Sequence, residues 1–439
     1  MQRATPPARR ARPLQSRQRF VPVARMVARI YAGYKGIQLL GRALGEDRVD
    51  WMYHRQHRMA AEAIYETATQ LEGLLIKACQ FLGTRADILP DEFIEVLSRL
   101  QDRVPARPFS ELAAHVEDQL RRPIAAVFAE IDPHPVASAS LAQVHRAVLH
   151  NGQEVAVKVQ YPEIAALVDV DLQNLGFLIN LLARVEHSFD LRLVLREIKR
   201  YVPLELDFQN EAQNAERIRA NLRHRGDVVI PQIVHELTTS KLLVMEYLPG
   251  IRVTDVDRLS AAGIDKHAVA QTLTEIFCHQ ILVDGFFHAD PHPGNILVRP
   301  GPQLVLLDFG LAKDFPAGFR QGVTKLAAAI LMQDRSTIAQ AFRDLGFQTK
   351  NPDVDTLVAL GDAFLGQVVR SGKAYADEAL IEQFSKDLSQ ALRANPLVEA
   401  PSDILLVVRV MGLLSGIGKQ LDSRVDPLGL MLPFLQAGG

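Results

Sequence analysis

The chain has 439 residues, of which 48% are hydrophobic and 23% charged, and its formal net charge is −2. This length suffices for two or three hydrophobic cores, and the near-neutral charge argues against nucleic acid as a partner. Only two cysteines occur, Cys79 and Cys278, which is typical of a reducing compartment. No uncharged apolar run reaches the ~18 residues of a membrane-spanning helix, and no secretory signal is recognisable. We therefore expect a soluble cytoplasmic protein, with peripheral binding at the inner membrane face as an open alternative.

Residues 1–55 form a basic first domain. Its first twenty residues are rich in Pro and Arg and are predicted to be disordered, because they cannot bury a core. From Val23 an apolar stripe recurs at helical spacing, with Arg25, Arg29 and Lys35 off the stripe. Such an amphipathic helix can lie on an anionic membrane surface or pack on the main body with a solvated basic face. A transit peptide is a third alternative, although serine is scarce. The stripe consists of Val23, Val27, Ile30, Tyr34, Ile37, Leu40 and Leu44.

Residues 56–130 are predicted to be a helical domain. Apolar residues recur at helical spacing from Ala61 onward, and Pro90 lies at the first turn of another helix. Lys77 and Gln80 lie within this domain. Taken alone, they indicate only a solvated helix face.

Residues 131–248 are predicted to be a β-rich lobe with a helical insertion at 163–200. Two apolar strands flank Asn151-Gly152, the dipeptide most typical of a tight hairpin. Lys158 lies in the second strand within Val-Ala-Val-Lys, the setting of the kinase lysine that holds nucleotide phosphates. The alternative is a solvent-facing strand lysine.

The glycine-rich phosphate loop that precedes this hairpin in kinases is missing. Ala137, Ser138, Ala139 and Ser140 occupy its place, with no glycine among them. Small side chains still allow a backbone to approach phosphates, although they restrict its conformation. We expect these four residues to contact a nucleotide in a way that differs from ordinary protein kinases.

A kinase strand lysine pairs with a glutamate on a helix. Glu211 is our candidate for this partner, while Glu205 and Asp207 remain alternatives because spacing alone does not choose among them. Further along, a predicted strand contains Glu246, which we include among the nucleotide-binding residues. Leu248-Pro249-Gly250 then breaks the pattern as an inter-lobe connector would.

Residues 249–439 are predicted to be a helical lobe, interrupted by one loop and one strand. In the loop His288-Ala-Asp-Pro-His-Pro-Gly-Asn295, two prolines exclude a regular helix, so the loop presents Asp290 and Asn295 from a rigid support. An apolar strand then leads to Asp308-Phe-Gly. An acidic base with Asn and Asp as oxygen ligands of Mg²⁺ is typical of phosphoryl transfer from ATP.

Two alternatives compete for this loop. His288 and His292 have the spacing of a zinc pair on a helix, but the prolines interrupt the helix that such a pair needs. A plain buried turn also accounts for Asp-Pro and Pro-Gly. It leaves the following strand and Asp-Phe-Gly unexplained.

Over roughly residues 60–345, these motifs resemble the UbiB/AarF family of atypical protein-kinase-like proteins, which are associated with ubiquinone and other isoprenoid lipids. His288 to Asn295 and Asp308-Phe-Gly match the family in full. Two positions depart from it, since Cys79 replaces a glycine of Lys-x-Gly-Gln and Ser138 replaces an alanine of the alanine-rich loop. The remaining matches are Lys77 and Gln80, the strand lysine Lys158, the Glu-x-Asp pair Glu205 and Asp207, and Glu211 as the lysine-pairing glutamate.

The resemblance implies an α+β, bilobal protein-kinase-like fold with a family-specific helical N-terminal extension. Lys158 and Glu211 would orient the α- and β-phosphates, Asn295 and Asp308 would hold Mg²⁺, and Asp290 would be the base or would position water. It also implies that the Lys77–Gln80 helix folds over the nucleotide cleft, with Lys77 near the regulatory pair Glu205 and Asp207. That arrangement would block a peptide substrate.

We therefore expect an atypical kinase or ATPase that uses ATP and Mg²⁺ to support isoprenoid-quinone or lipid metabolism. The expected partners are ATP, a lipid or isoprenoid small molecule, and an anionic membrane surface. Two alternatives remain, namely a small-molecule kinase of the aminoglycoside or choline type and a non-catalytic nucleotide-binding scaffold. The Lys77–Gln80 helix argues against the first, and the complete set of Lys158, Asp290, Asn295 and Asp308 argues against the second.

Overall fold

The structure is a computed structural model in which the chain forms two compact units. The first comprises residues 1–208 and 235–244, and the second comprises residues 209–234 and 245–439. Residues 209–234, which the sequence places with the β-rich lobe, therefore group with the second unit. The described residues are 16–45, 48–71, 73–82, 90–100, 106–182, 191–316, 318–362, 391, 395, 397–399, 401–423, 430 and 433–434.

Four helices around one apolar core open the first unit: α1 (Ser16–Leu44), α2 (Asp50–Leu71), α3 (Leu74–Leu82) and α4 (Asp91–Leu97). Val23 and Ile37 of the α1 stripe are buried, and Val27, Ile30 and Tyr34 pack against the same core. Leu40 and Leu44, at the end of the stripe, remain 43% and 54% exposed. Most of the stripe therefore packs on the body of the protein, as one of the alternatives predicts.

The predicted disorder of the first twenty residues is wrong for Ser16 to Phe20, which form the first turns of α1, while residues 1–15 lie outside the described residues. Arg19 is only 2% exposed, because each of its nitrogens has an acceptor. It donates to both carboxylate oxygens of Asp171, at 2.7 and 2.6 Å, and to the carbonyl oxygen of Leu71, at 2.7 Å. A buried charge is tolerated when it is paired and hydrogen-bonded in this way.

The β-sheet of the first unit has the strand order β1 (Phe128–Ile131), β3 (Ala142–Leu149), β4 (Glu154–Gln160) and β6 (Leu242–Glu246), with β2 (Ala137–Ser138) paired to β3. The predicted hairpin is confirmed, since β3 and β4 pair antiparallel from Ala142↔Gln160 to Val148↔Glu154. Gly152 takes a φ of +84° in the turn between them, which favours glycine.

Further helices of the first unit lie before and after these strands in the described residues. α5 (Phe109–Leu120) precedes the sheet, and α6 (Ile164–Leu182) and α7 (Leu191–Glu205) begin within the range 163–200 predicted for the helical insertion, although α7 extends five residues beyond it. On α6 the buried residues include Ile164, Val168 and Asp171. Arg19 of α1 is thereby joined to α6.

The second unit begins within α8 (Phe208–Asn221), whose first residue is the last of the 1–208 segment of the first unit. Its four-stranded sheet has the order β5 (Val228–Val229), β10 (Gln303–Leu306), β9 (Ile296–Arg299) and β7 (Ile251–Arg252). The α-helices described after β7 are α9 (Val256–Ala261), α10 (Lys266–His279), α11 (Phe319–Leu331), α12 (Arg335–Asp344), α13 (Asp355–Gly361) and α14 (Ser402–Gln420).

The prediction that this lobe is helical apart from one loop and one strand is wrong in detail. Two further strand pairs occur, β8 (Phe286–His288) with β11 (Ala312–Asp314), and β12 (Gln348–Thr349) with β13 (Leu397–Glu399). These strands, like β7, have two or three residues, too few for the alternation that identifies a strand in sequence. Among the described helices, none is long and apolar enough to cross a bilayer.

Candidate active site

The loop with two prolines connects β8 to β9 in the second unit. Ala289 N–H donates to the Leu311 carbonyl at 2.9 Å, which continues the β8–β11 ladder by one residue. His292 N–H then donates to the Asp290 carbonyl at 2.7 Å, and Asn295 N–H donates to the His292 carbonyl at 2.8 Å. Backbone hydrogen bonds therefore fix the loop between two strands, and it is not a regular helix, as predicted.

Asn295 and Asp308 leave the β9–β10 hairpin at the same end. The last strand pair is Ile296↔Leu306, and Leu307 N–H continues the ladder by donating to the Asn295 carbonyl at 2.9 Å. Asp308 follows directly with a φ of +58°, in the left-handed region that non-glycine residues rarely adopt. Such a conformation costs about 1–2 kcal/mol and persists only where the surroundings hold it.

The side chains at this end fit a magnesium ion. Asn295 and Asp308 are half-buried and offer one carboxamide and one carboxylate oxygen donor. Mg²⁺ prefers such hard oxygen ligands and usually takes only one or two from the protein, with the others from phosphates and water. Two donors at the open end of one hairpin are consistent with this preference.

His288 is part of the support for the loop. It is 1% exposed, its backbone N–H donates to Oε1 of Gln280 at 2.9 Å, and its ring lies 5.3 Å from the Phe309 ring. Burial lowers the pKa of its imidazole, and the charges of Asp290 and Asp308 only partly offset this effect. The neutral imidazole supports the loop by packing against the rings of Phe277 and Phe309.

The zinc alternative does not fit the geometry. His288 is on strand β8, and His292 caps a 3-10 turn by accepting from Gly294 N–H at 3.1 Å, so the two are not on one helix. Within the described ranges, no three His, Cys, Asp or Glu side chains gather in a metal-binding arrangement.

Lys158 belongs to the first unit, on β4 opposite Val144, and is half-buried. Its Nζ lies 5.1 Å from the centroid of the Phe208 ring. Gln160, two residues further on β4, donates from Nε2 to the Leu206 carbonyl at 2.9 Å. The end of β4 is thereby attached to the segment that contains the predicted residues Glu205 and Asp207.

The small-residue loop is a tight turn between β2 and β3. Ala137 and Ser138 pair with Val144 and Gln143, and Ala139 N–H donates to the Ala142 carbonyl at 2.8 Å. The turn therefore closes without a glycine.

The remaining predicted residues have different surroundings. Lys77 and Gln80 lie on α3, but their side chains are outside the described part of the chain. Cys79, at the position of the family glycine, is 4% exposed, and burial raises the pKa of its thiol to about 12. It is a core residue. Glu246 ends β6, and its Oε2 accepts from Gln232 N–H at 3.3 Å.

Glu211 lies in the first turn of α8 and is only 2% exposed. Glu205 and Asp207 are both half-buried, at the end of α7 and just before α8 respectively. Almost complete burial distinguishes Glu211 from these two alternatives, because a carboxylate is rarely buried unless it is paired.

Two residues of α8 that the sequence did not single out contact the Asp-Phe-Gly segment and the strand β11 that follows it. Asn214 donates from Nδ2 to the Phe309 carbonyl at 3.0 Å, and Arg217 donates to both carboxylate oxygens of Asp314, at 2.8 and 2.5 Å. The signal that could have found them is spacing. Asn214 and Arg217 follow Glu211 at intervals of three residues, which places all three on one side of a helix.

Residues 99–342 match the family model of the ABC1 atypical kinase-like domain. The chain is 34% identical over 394 residues to Protein ACTIVITY OF BC1 COMPLEX KINASE 7, chloroplastic, of Arabidopsis thaliana, covering 87% of this chain and 55% of that protein. It is 32% identical over 393 residues to AarF domain-containing protein kinase 1 of Xenopus tropicalis, covering 87% of this chain and 74% of that protein. The chain thus spans about half the length of the Arabidopsis relative.

The solved structure of Rv3197 from Mycobacterium tuberculosis in complex with erythromycin has a similar fold. The TM-score is 0.63 at 24% identity, covering 87% of this chain and 97% of that one. The predicted α+β, kinase-like fold with a helical N-terminal region is therefore confirmed, and so is the predicted family. The chain belongs to the ABC1 (UbiB/AarF) family of atypical kinase-like proteins.

Proposed function

We propose that the chain binds Mg-ATP and transfers or hydrolyses the γ-phosphate, as an atypical kinase or ATPase. The observation that carries this proposal is the end of the β9–β10 hairpin, where Asn295 and Asp308 emerge together and the Asp290 loop is fixed beside β8. Phosphoryl transfer depends mostly on positioning and charge neutralisation, so a rigid support with one base and two oxygen ligands suits it.

Each residue of the set has one role in this proposal. Asn295 and Asp308 hold Mg²⁺, which when bound neutralises charge on the phosphates. Asp290 accepts the proton of the attacking hydroxyl or orients a water molecule. Lys158 and Glu211 orient the α- and β-phosphates. The family membership of the chain supports these assignments, because each residue stands in a motif of the family.

The nucleotide-binding residues also include the turn formed by Ala137, Ser138, Ala139 and Ser140, together with Glu246. The turn has a backbone fixed by the β2–β3 pairing, which favours a preformed contact with phosphates. Lys77, Gln80, Glu205 and Asp207 form the regulatory set.

Peptides are disfavoured as acceptors. Ala289 stands where many protein kinases have an arginine that reads an activation-loop phosphate, and it is completely buried between β8 and β11. A buried alanine there cannot read such a phosphate. No Ala-Pro-Glu follows Gly310, so the usual peptide-docking segment is missing from the sequence. The acceptor is then a small molecule or water.

We further propose that this activity supports isoprenoid-quinone or lipid metabolism at an anionic membrane surface. The family association with isoprenoid lipids supports this role, and the solved structure of Rv3197 is a complex with erythromycin, a small molecule rather than a peptide. On α1, exposed Leu40 and Leu44 flank Arg42, which gives this end an apolar and basic surface.

A turnover assay tests the proposal. ATP hydrolysis by the purified chain is measured with and without Mg²⁺, and with and without anionic liposomes. We expect Mg²⁺-dependent turnover that rises with liposomes. Nucleotide binding with no turnover under any of these conditions would instead identify a nucleotide-binding scaffold.

A further inference from the structure

Helix α8 is attached to the chain at two points, one within the Asp-Phe-Gly segment and one on the strand β11 that follows it. Before Gly310, Asn214 holds the Phe309 carbonyl at 3.0 Å. After it, Arg217 holds the Asp314 carboxylate through two hydrogen bonds. The same guanidinium lies over the Phe286 ring, 3.9 Å from its centroid. Since Phe286 pairs with Asp314 in the β8–β11 ladder, Arg217 holds both strands at one point.

A strained residue, Asp308, directly precedes the first of these two attachments. Asp308 has a φ of +58°, and its Oδ1 accepts a hydrogen bond of 3.3 Å from Gly310 N–H. A backbone in this region relaxes unless neighbouring contacts hold it. The Phe309 carbonyl and the Gly310 N–H belong to one peptide unit, whose carbonyl accepts from Asn214 and whose N–H donates to Asp308 Oδ1, so the orientation of this unit is coupled to the Asp308 side chain. Asn214 is the side chain that donates to this carbonyl.

We propose that Asn214 and Arg217 are positioning residues for Asp308, and that they make α8 and the Asp-Phe-Gly segment one mechanical element. This inference rests on the proposed role of Asp308 as a magnesium ligand. A rotation of α8 removes the donor from the Phe309 carbonyl and releases the Asp308 backbone.

Removal of the Asn214 side chain should disturb the position of Asp308 more than removal of the Arg217 side chain. Its bond to the Phe309 carbonyl is partly buried, and its loss leaves a carbonyl without its donor. The Arg217–Asp314 pair is 48% and 60% exposed, and solvent-exposed ion pairs contribute little. The difference in burial between the two contacts therefore predicts that the Asn214 variant is affected more than the Arg217 variant.

The test measures how much Mg²⁺ is required for ATP to raise the melting temperature. Asn214→Ala should raise the half-saturating Mg²⁺ concentration about tenfold, the size expected for one neutral hydrogen bond. Arg217→Gln removes an exposed ion pair and should therefore fold normally. It should raise the half-saturating Mg²⁺ concentration roughly twofold to fivefold. Gln213→Ala, an exposed neighbour on the same helix, is the matched control and should leave it unchanged.

A double substitution separates positioning from a general loss of stability. If Asn214 acts through Asp308, Asn214→Ala adds no further Mg²⁺ effect in an Asp308→Asn background, because residues of one unit are not additive. The shift caused by ATP in EDTA should be the same in the single variant and the wild type. An unchanged Mg²⁺ requirement in Asn214→Ala, or an equal effect in both backgrounds, overturns the proposal.

A second readout does not depend on the proposed function. Backbone hydrogen exchange over residues 308–314 should be faster in Asn214→Ala than in Gln213→Ala, because the attachment is lost. If the wild-type protein shows no Mg²⁺-dependent nucleotide binding, the proposed function fails, and the exchange rates still decide the attachment. Equal rates in the two variants overturn it.

Discussion

Arg19 and Asp171 form a buried bidentate ion pair across 152 positions of the sequence, with N–O distances of 2.7 and 2.6 Å. Both side chains are almost completely excluded from solvent, at 3% and 2% exposure. The pair joins α1 to α6, and the third bond of Arg19, to the Leu71 carbonyl, adds the end of α2. The basic N-terminal segment is thus fixed into the first unit by one of its own arginines.

Arg19→Met should lower the free energy of unfolding by about 3–5 kcal/mol, because it leaves the Asp171 carboxylate buried without its partner. Arg25→Met, on the exposed side of the same helix, is the control and should change the unfolding free energy by less than about 0.5 kcal/mol. Urea unfolding of both variants measures the difference. Equal losses would show that the ion pair does not hold α1.

The Arg19→Met deficit should also depend on pH. Burial raises the pKa of Asp171, and Arg19 opposes this rise, so its removal raises the folded-state pKa further. A folded-state pKa above the unfolded value of about 3.9 makes stability fall as pH rises between the two values. The deficit should therefore be smaller near pH 4 than at pH 7. The double variant Arg19→Met with Asp171→Leu should lose this pH dependence.

Val23→Ala should cost roughly 1–3 kcal/mol of stability, because Val23 is 3% exposed in the core of the four N-terminal helices. Leu40→Ala, 43% exposed on the same helix, should cost less than about 0.5 kcal/mol. Denaturation curves of the two variants give the loss of unfolding free energy at Val23, near the start of the stripe, and at Leu40, near its end. A larger loss for Leu40→Ala would contradict the packing of α1 described above.

Asp308→Asn should remove most of the Mg²⁺-dependent stabilisation by ATP, because a neutral amide replaces the carboxylate ligand. A ligand at a hundred times its dissociation constant adds about 2.7 kcal/mol to the free energy of unfolding, and Asp308→Asn should lose most of this increment. Asp257→Asn, an exposed carboxylate on α9, is the control. Equal Mg-ATP thermal shifts in wild type and Asp308→Asn would refute the metal assignment.

Asp290→Asn should leave Mg-ATP binding nearly intact and lower turnover by ~10²–10⁴, the usual effect of removing a general base. Binding is followed by thermal shift and turnover by phosphate release. Unchanged turnover would mean that Asp290 only supports the loop.

His288 should make the fold sensitive to acid. Burial lowers its folded-state pKa, so the unfolded chain binds a proton more readily as pH falls below the unfolded value of about 6.5. Stability due to this residue is therefore full above that pH and declines below it. Between pH 7 and pH 5, the unfolding free energy of the wild type should fall more than that of His288→Leu, which lacks the titrating imidazole. A difference independent of pH would exclude His288 as a source of acid sensitivity.

The sequence by itself determined the features that depend on neighbouring residues. The Asn151-Gly152 turn and its alternating strands predicted the hairpin, helical periodicity predicted α1 and α2, and two prolines predicted an irregular loop around Asp290. The family motifs are also local patterns, and the confirmed family rests on them. The hairpin, the helices and the irregular loop each depend on residues that are close in sequence, whose backbone preferences and steric limits act without distant partners.

Tertiary structure alone decided the features that join distant positions. The burial of Arg19 depends on a carboxylate 152 residues away, so no local pattern could reveal it within an arginine-rich segment. The same holds for Asn214, whose acceptor is a backbone carbonyl 95 positions further along the chain. The two- and three-residue strands β7, β8 and β11 exist because partners were brought to them, and their own sequences are too short to specify a strand. From sequence alone, a polar side chain is predicted to be exposed to solvent. Its burial becomes favourable only when the fold places a hydrogen-bonding or charged partner beside it.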